Sequence, residues 1–224
     1  MKPLTEEHLA LLRRHMVELV EMHFDLAGDE IGERTLDPAL RGALMEVPRH
    51  LFVPLQLAGA AYQDTPLPIG FDKTLSQPFI GALMLDLLEL TPGTRVLEVG
   101  TGLGYQAAVM AELGAEVFSV EVVEEFTEAA GARFAALGYK VAVRAGDGAR
   151  GWPEHAPFEA ILVTAAAREP PEKLVEQLAP GGRMVIPLGD GEVQQLSVVE
   201  KALDGTIAIL ALMPVRFTRL ELAG

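Results

Sequence analysis

The feature that most limits what this chain can fold into lies between residues 95 and 105. An apolar run, Arg95–Val99, meets a loop with glycine at alternate positions, Gly100-Thr101-Gly102-Leu103-Gly104, and a helical pattern opens at Tyr105. A short apolar strand that feeds a glycine turn and then a helix is the opening of a parallel sheet covered by helices. The remainder keeps that rhythm. Tyr105–Leu113 reads as a helix closed by Gly114, Val117–Val120 as a strand, and Val123–Leu137 as a helix closed by Gly138. Val141–Arg144, Ala160–Thr164 and Met184–Pro187 read as further strands, with Pro171–Leu178 a helix before the last. Gln195–Glu200 and Thr206–Leu212 flank Asp204-Gly205, a hairpin signal. The expected fold is α/β and Rossmann-like, a mostly parallel sheet ending in an antiparallel hairpin.

Ahead of the sheet lies an N-terminal helical extension. Leu9, Leu12, Met16, Leu19, Val20 and Phe24 sit at helical spacing within Thr5–Asp25. His8, His15 and His23 fall near one face of that helix. Neighbours are seven or eight residues apart, about 10–12 Å along the axis, too far to share a metal ion. They read as a solvated or packed stripe. Asp37-Pro38 starts a helix that should end before Pro48. Arg49–Lys73 is rich in Pro and Gly and reads as loops with short extended pieces. Ser76 and Gln77-Pro78 open another helix through Leu88. No repeat or linker divides the chain, so residues 1–224 are read as a single domain. Its cap covers about 1–76 and its core about 77–224.

Composition narrows the function. The formal charge is −14, and phosphate backbones are bound by Lys and Arg surfaces, so nucleic acid is a poor partner. There is no Cys, which removes disulfides, thiol nucleophiles and zinc–thiolate sites. No apolar run reaches the ~20 residues of a membrane helix. Met1–Glu7 lacks the features of a signal peptide, and a cytoplasmic protein is expected. The chain also has no Asn, and Arg outnumbers Lys 13 to 5. Heat adaptation or a biased genome would each produce that pattern.

The glycine loop offers free N–H groups and positive potential at a helix N-terminus. Its Gly-x-Gly-x-Gly spacing departs from the Gly-x-Gly-x-x-Gly/Ala of dinucleotide folds, which disfavours a nicotinamide dehydrogenase. Glu121 ends the next strand, 19 residues after Gly102. An acid there can accept hydrogen bonds from both ribose hydroxyls of an adenosyl group, or be an ordinary strand-end Glu. The third strand ends in Gly146-Asp147-Gly148. Asp147 can accept from an adenine amino group, or simply make a turn.

These residues fall within a longer resemblance. Val47-Pro48-Arg49-His50-Leu51-Phe52-Val53-Pro54, Ala61–Gly70, Thr74-Leu75-Ser76-Gln77-Pro78 and Val96–Ala108 resemble successive segments of the protein-L-isoaspartate O-methyltransferases. Gly146–Gly148, Gly151-Trp152-Pro153, Ala156-Pro157-Phe158, Val163–Ala166, Leu178–Gly189 and Val215-Arg216-Phe217 continue it. Two places depart. Phe71-Asp72-Lys73 stands where the family usually has His-Gly-Gln, and the opening, with its extra stretch Leu26–Leu36, differs. Both departures are expected to bear on the substrate more than on the cofactor.

The resemblance implies a class I methyltransferase fold, S-adenosyl-L-methionine as cofactor and no metal. It implies cofactor contacts from Thr74, Glu98, Gly100, Thr101, Gly102, Gly104, Glu121, Val122, Asp147 and Gly148. Ser76 is the implied active-site residue, unless its hydroxyl serves only as the N-cap of the helix after it. The implied partners are isoaspartyl-containing proteins and peptides, and a monomer is expected. The implied reaction moves a methyl group to a free α-carboxylate, whose ordinary pKa is ~3.3–3.7. That nucleophile is ionised at neutral pH and needs no general base. Positioning then carries the catalysis and can supply ~7–11 kcal/mol. Lys73 is read as facing solvent rather than the carboxylate. Two other readings stay open: the same fold redirected to another peptide or small-molecule carboxylate, and a non-catalytic adenosyl-ligand-binding protein.

Overall fold

The computed structural model describes residues 5–32 and 34–221; the first four residues of the polar opening and Glu33 of the extra stretch lie outside it. The elements in chain order are α1 (Glu6–Leu26), α2 (Gly28–Ile31), α3 (Pro38–Glu46), β1 (Leu67–Gly70), β2 (Lys73–Leu75), α4 (Pro78–Asp86), β3 (Arg95–Val99) and α5 (Tyr105–Glu112). They continue with β4 (Glu116–Glu121), α6 (Glu124–Leu137), β5 (Val141–Ala145), β6 (Phe158–Val163), α7 (Glu172–Gln177), β7 (Leu178–Leu188), β8 (Gln194–Lys201) and β9 (Ile207–Val215). Short 3-10 turns fill Arg49–Phe52 and Leu55–Ala60.

Seven strands form one sheet in the order β5-β4-β3-β6-β7-β8-β9. The first five run parallel, and β8 and β9 are antiparallel additions. This is the expected sheet, extended at several ends; β7 starts at Leu178 rather than Met184. β3 lies between β4 and β6, so the strand order reverses there, and a crevice opens beyond its carboxyl end.

Both faces of the central strands are covered, and the pleat divides their side chains. Leu97 and Val99 join Phe118, Val120, Ile161 and Val163 in one apolar cluster. Val96, on the opposite face, belongs to a larger cluster that includes Met16, Val20 and Phe24 of α1, Leu40 of α3, and Leu83 and Met84 of α4. The N-terminal extension is therefore packed into the core. Thr5 caps α1, accepting from His8 N at 3.4 Å, and Asp37 caps α3, accepting from Ala39 and Leu40. Among the described residues no helix is long and apolar enough to cross a membrane.

The segment read as loops before Ser76 holds one further element. β1 and β2 make a two-stranded antiparallel ribbon, with Gly70 opposite Lys73. Phe71 and Asp72 form its two-residue turn, with φ of 50° and 55°. Positive φ at both positions suits a primed hairpin turn, which normally selects Gly, Asn or Asp. Phe at the first position hides the turn from a sequence reader. Its ring packs edge-on to Phe126 at 5.3 Å.

Candidate active site

The glycine loop sits at the carboxyl end of β3, where the crevice opens. Gly100 has φ of 96°, and a Cβ there would lie 2.4 Å from Thr164 Oγ1, at the end of β6. Gly104 has the same φ, and a Cβ would meet Phe134 Cζ at 2.7 Å. The first glycine lets two strand ends close on each other, and the second seats α5 against α6. Glu121 ends β4 and is 5% exposed. Its Oε2 accepts from Gly102 N at 2.7 Å and its Oε1 from Val123 N at 3.0 Å. Each oxygen keeps a lone pair for a further donor.

Two cavities adjoin over this crevice. The smaller, of about 80 Å³, is bordered by Gly100, Gly102, Glu121, Val122 and Gly148. The larger, of about 600 Å³, is bordered by Ser76, Gln77, His23 and Phe217. Thr74, Thr164 and Thr218 border both. The smaller space is narrow because Thr218–Glu221 folds along it. Ala166 donates its N–H to Thr218 O, and Leu220 N donates to Ala166 O, both at 2.8 Å.

The wall of the larger cavity is built around Asp64. Its Oδ2 accepts from Gln77 Nε2 at 2.8 Å and its Oδ1 from Phe79 N at 3.0 Å. Asp64 thereby satisfies the start of α4 from outside the helix. The N-cap of α4 is Gln77, with no side-chain cap bond, so Ser76 is not the cap its position suggested. His23 Nδ1, on α1, lies 3.0 Å from Asp64 Oδ2.

The protein-L-isoaspartate(D-aspartate) O-methyltransferase family model matches residues 25–222. The chain belongs to that family. A Polaromonas relative, protein-L-isoaspartate O-methyltransferase 1, is 48% identical over 97% of this chain and 93% of its own length. An Anaeromyxobacter relative of the same name is 54% identical over 82% of this chain and 88% of its own. A solved protein-L-isoaspartate O-methyltransferase superposes with a TM-score of 0.80 at 29% identity, over 92% of this chain and 65% of the other. A Plasmodium falciparum structure, described as a family member in complex with S-adenosyl-L-homocysteine, gives a TM-score of 0.78 at 25% identity. It matches over 93% of this chain and 98% of the other.

Against that background the expected site residues divide. Thr74, Gly100, Gly102, Glu121, Val122 and Gly148 border the smaller cavity, and Ser76 borders the larger. Gly104 serves helix packing from the loop's far end. Asp147 lies at the end of β5 with its carboxylate turned to Ala149 N (2.9 Å) and Arg150 Nε (3.4 Å). The Thr101 side chain and Glu98 lie beneath the loop. Thr101 Oγ1 shares a hydrogen bond with Ser119 Oγ, and Ser119 Oγ donates to Glu98 Oε2. Glu98 is fully buried on the Val96 face, and burial raises its carboxyl to about 8, with the nearby Glu121 charge adding to the rise. It supports the loop from below and does not line the cavity.

Lys73 corrects the sequence reading. Its side chain is only 18% exposed, borders the smaller cavity and pairs with Glu221. The Phe71–Lys73 departure therefore reaches the smaller cavity beside the glycine loop, whereas the larger cavity is bordered by Thr74 and Ser76 instead. Sequence reasoning also missed Thr164 and Thr218–Glu221, and placed His23 in a bland stripe. A Thr directly after a strand that neighbours the glycine loop was a usable signal. The Lys73–Glu221 pair, 148 residues apart, offered none.

Proposed function

We propose that this chain transfers the methyl group of S-adenosyl-L-methionine to the α-carboxylate of L-isoaspartyl residues in damaged proteins. The observation that carries the reading is the pair of cavities walled in common by Thr74, Thr164 and Thr218. One holds the glycine cradle and Glu121, and the other presents Ser76. A donor in the first and a carboxylate in the second would meet across three small side chains.

The cradle suits an adenosyl group. Gly100 and Gly102 border it without side chains, and Glu121 brings a buried carboxylate to the same wall. Gly102, Val122 and Gly148 would complete the wall, while Thr74 faces both sides. S-adenosyl-L-methionine supplies an electrophilic methyl group. The chain's residues then have no proton to remove, because an α-carboxyl is ionised at neutral pH. Ser76 holds the attacking carboxylate by its hydroxyl, with Gln77 beside it fixed on Asp64. In the substrate the neighbouring backbone amide nitrogen attacks the ester carbonyl and expels methanol, giving a succinimide that water can reopen as Asp.

The same reading treats residues 1–224 as one methyltransferase domain, capped by residues 1–76, working as a monomer in the cytoplasm. The apolar cluster shared by α1, α3, α4 and the sheet supports the single domain. Methyl transfer from labelled S-adenosyl-L-methionine to an isoaspartyl peptide, read as methanol released by base, tests the activity. The expected result is a base-labile methyl ester, formed much more slowly by Ser76→Ala. Undiminished Ser76→Ala turnover would remove Ser76 from the site.

A further inference from the structure

Arg49 is the largest fully buried side chain described, 1% exposed. It stands on the 3-10 turn after Pro48, behind the wall of the larger cavity. Burying a cation is unfavourable unless its hydrogen-bonding capacity is met. Carboxylates usually meet it, yet among the described residues Arg49 forms no ion pair, and Asp64 acts on it only through its charge, from further off. Two backbone carbonyls and one ring receive it instead. Nε donates to Ala61 O at 2.8 Å, Nη2 donates to Ser76 O at 2.6 Å, and the guanidinium carbon lies 4.7 Å from the Tyr105 ring centroid.

These three partners belong to different parts of the site. Ala61 lies in the segment leading to Asp64, which fixes Gln77. Ser76 is the acceptor-side residue. Tyr105 is the first residue of α5, directly after the glycine loop. Ser76 also has little else to hold it. Pro78 has no N–H, and Gln77 makes no side-chain cap bond. Gln77 is itself held, by Asp64 at its side chain and by Gly81 N at its carbonyl, so among the described residues the Arg49 bond is what fixes the Ser76 carbonyl. Tyr105 is likewise clamped, between the guanidinium and the edge of Phe52, 5.7 Å away between ring centroids.

We propose that Arg49 is a positioning residue that locks the acceptor carbonyl of Ser76 to the donor loop at Tyr105, and so sets the distance between attacking carboxylate and methyl group. Arg49 touches neither ligand, so it acts through Ser76 and Tyr105. A guanidinium suits the task because its planar fork serves two carbonyls while its face stacks on a ring; an ammonium cannot do all three. The inference rests on the methyltransferase reading above.

The test compares wild type, Arg49→Lys and Arg49→Met well below their melting midpoints, with folding checked by circular dichroism. Misplacement on the order of 1 Å costs ~100-fold in rate. Arg49→Met should therefore lose about 100-fold in kcat, and Arg49→Lys about 10-fold. The KM for an isoaspartyl peptide and the calorimetric Kd for S-adenosyl-L-homocysteine should each stay within about threefold. A purely structural Arg49 would lower the midpoint and leave kcat per folded molecule unchanged in both variants, which would overturn the proposal. Arg49→Lys keeps the positive charge and tests the point even if Arg49→Met does not fold. A wild type that methylates no isoaspartyl peptide would sink the functional reading and this inference together. An active wild type with unchanged Arg49→Lys turnover would sink the inference alone.

Discussion

Replacing Glu98 by Gln isolates what a buried acid beneath the glycine loop does to the stability of the fold. Glu98 accepts from Ser119, its Oε1 has no hydrogen-bond partner among the described residues, and burial lifts its carboxyl from an ordinary 4.5 to about 8. The folded state therefore holds a proton that the unfolded chain releases above pH 4.5. A raised pKa in the folded state gives stability that is fully present below the unfolded value and is lost as pH rises toward the folded one. At ~1.4 kcal/mol per pH unit, the loss between pH 5 and pH 8 amounts to about 3 kcal/mol from this group alone. Gln cannot ionise, so its packing and its extra hydrogens add a cost that does not change with pH. All other titrating groups are common to both proteins. Urea unfolding of wild type and Glu98→Gln at pH 5 and pH 8 reads the difference directly. The variant should gain about 2–4 kcal/mol on wild type between the two pH values, whatever the offset at pH 5. Parallel curves, within about 0.5 kcal/mol, would mean that Glu98 ionises freely and that the loop does not rest on a neutral acid.

Three further substitutions probe the smaller cavity. Glu121→Ala removes the acceptor of Gly102 N and Val123 N. Losing bonds to a charged group costs ~1.5–3 kcal/mol, so S-adenosyl-L-homocysteine should bind about 10- to 150-fold more weakly by calorimetry. An unchanged Kd would take Glu121 out of the site. Lys73→Ala or Glu221→Ala breaks the pair that ties the C-terminal segment across the smaller cavity. A partly exposed pair is worth ~0.2–1 kcal/mol, so stopped-flow release of S-adenosyl-L-homocysteine should quicken about 1.5- to 5-fold. The double variant should release no faster than either single one, and unaltered release in all three would show that the pair does not restrain the segment.

The part of the fold readable from sequence is the part whose signals are local. Arg95–Val99 needed only its apolar run and the glycines after it, and Val123–Leu137 needed its periodicity and Gly138, which closes α6 in the left-handed conformation. The place of Glu121 at the crevice was legible because it ends the strand beside the glycine loop. The missed features are long-range. β7 begins at Leu178, which pairs with Phe158 of β6 ahead of a register shift, although Pro180-Gly181-Gly182 reads locally as a turn. Nothing near Arg49 in the Val47–Pro54 segment announces the two carbonyls and the aromatic face that receive it in the core. His23 gains meaning only from Asp64, on a segment that folds back over α1. Glu98 could have been placed better from the sequence. It alternates with Leu97 and Val99, and so faces away from their side of the sheet.

The central claim is that the site places an isoaspartyl α-carboxylate beside Ser76 and the methyl donor. Two synthetic peptides, identical except for Asp in one and isoAsp in the other, test it most directly. In isoAsp the backbone runs through the side-chain carbonyl, and the carboxylate hangs on a shorter arm. The β-carboxylate of Asp is displaced by about a bond length, and misplacement on the order of 1 Å costs ~100-fold in rate. Labelled methyl transfer should give a kcat/KM at least about 100-fold higher for isoAsp. Equal rates on the two peptides would contradict the account and mark the chain as a carboxyl methyltransferase turned to another substrate.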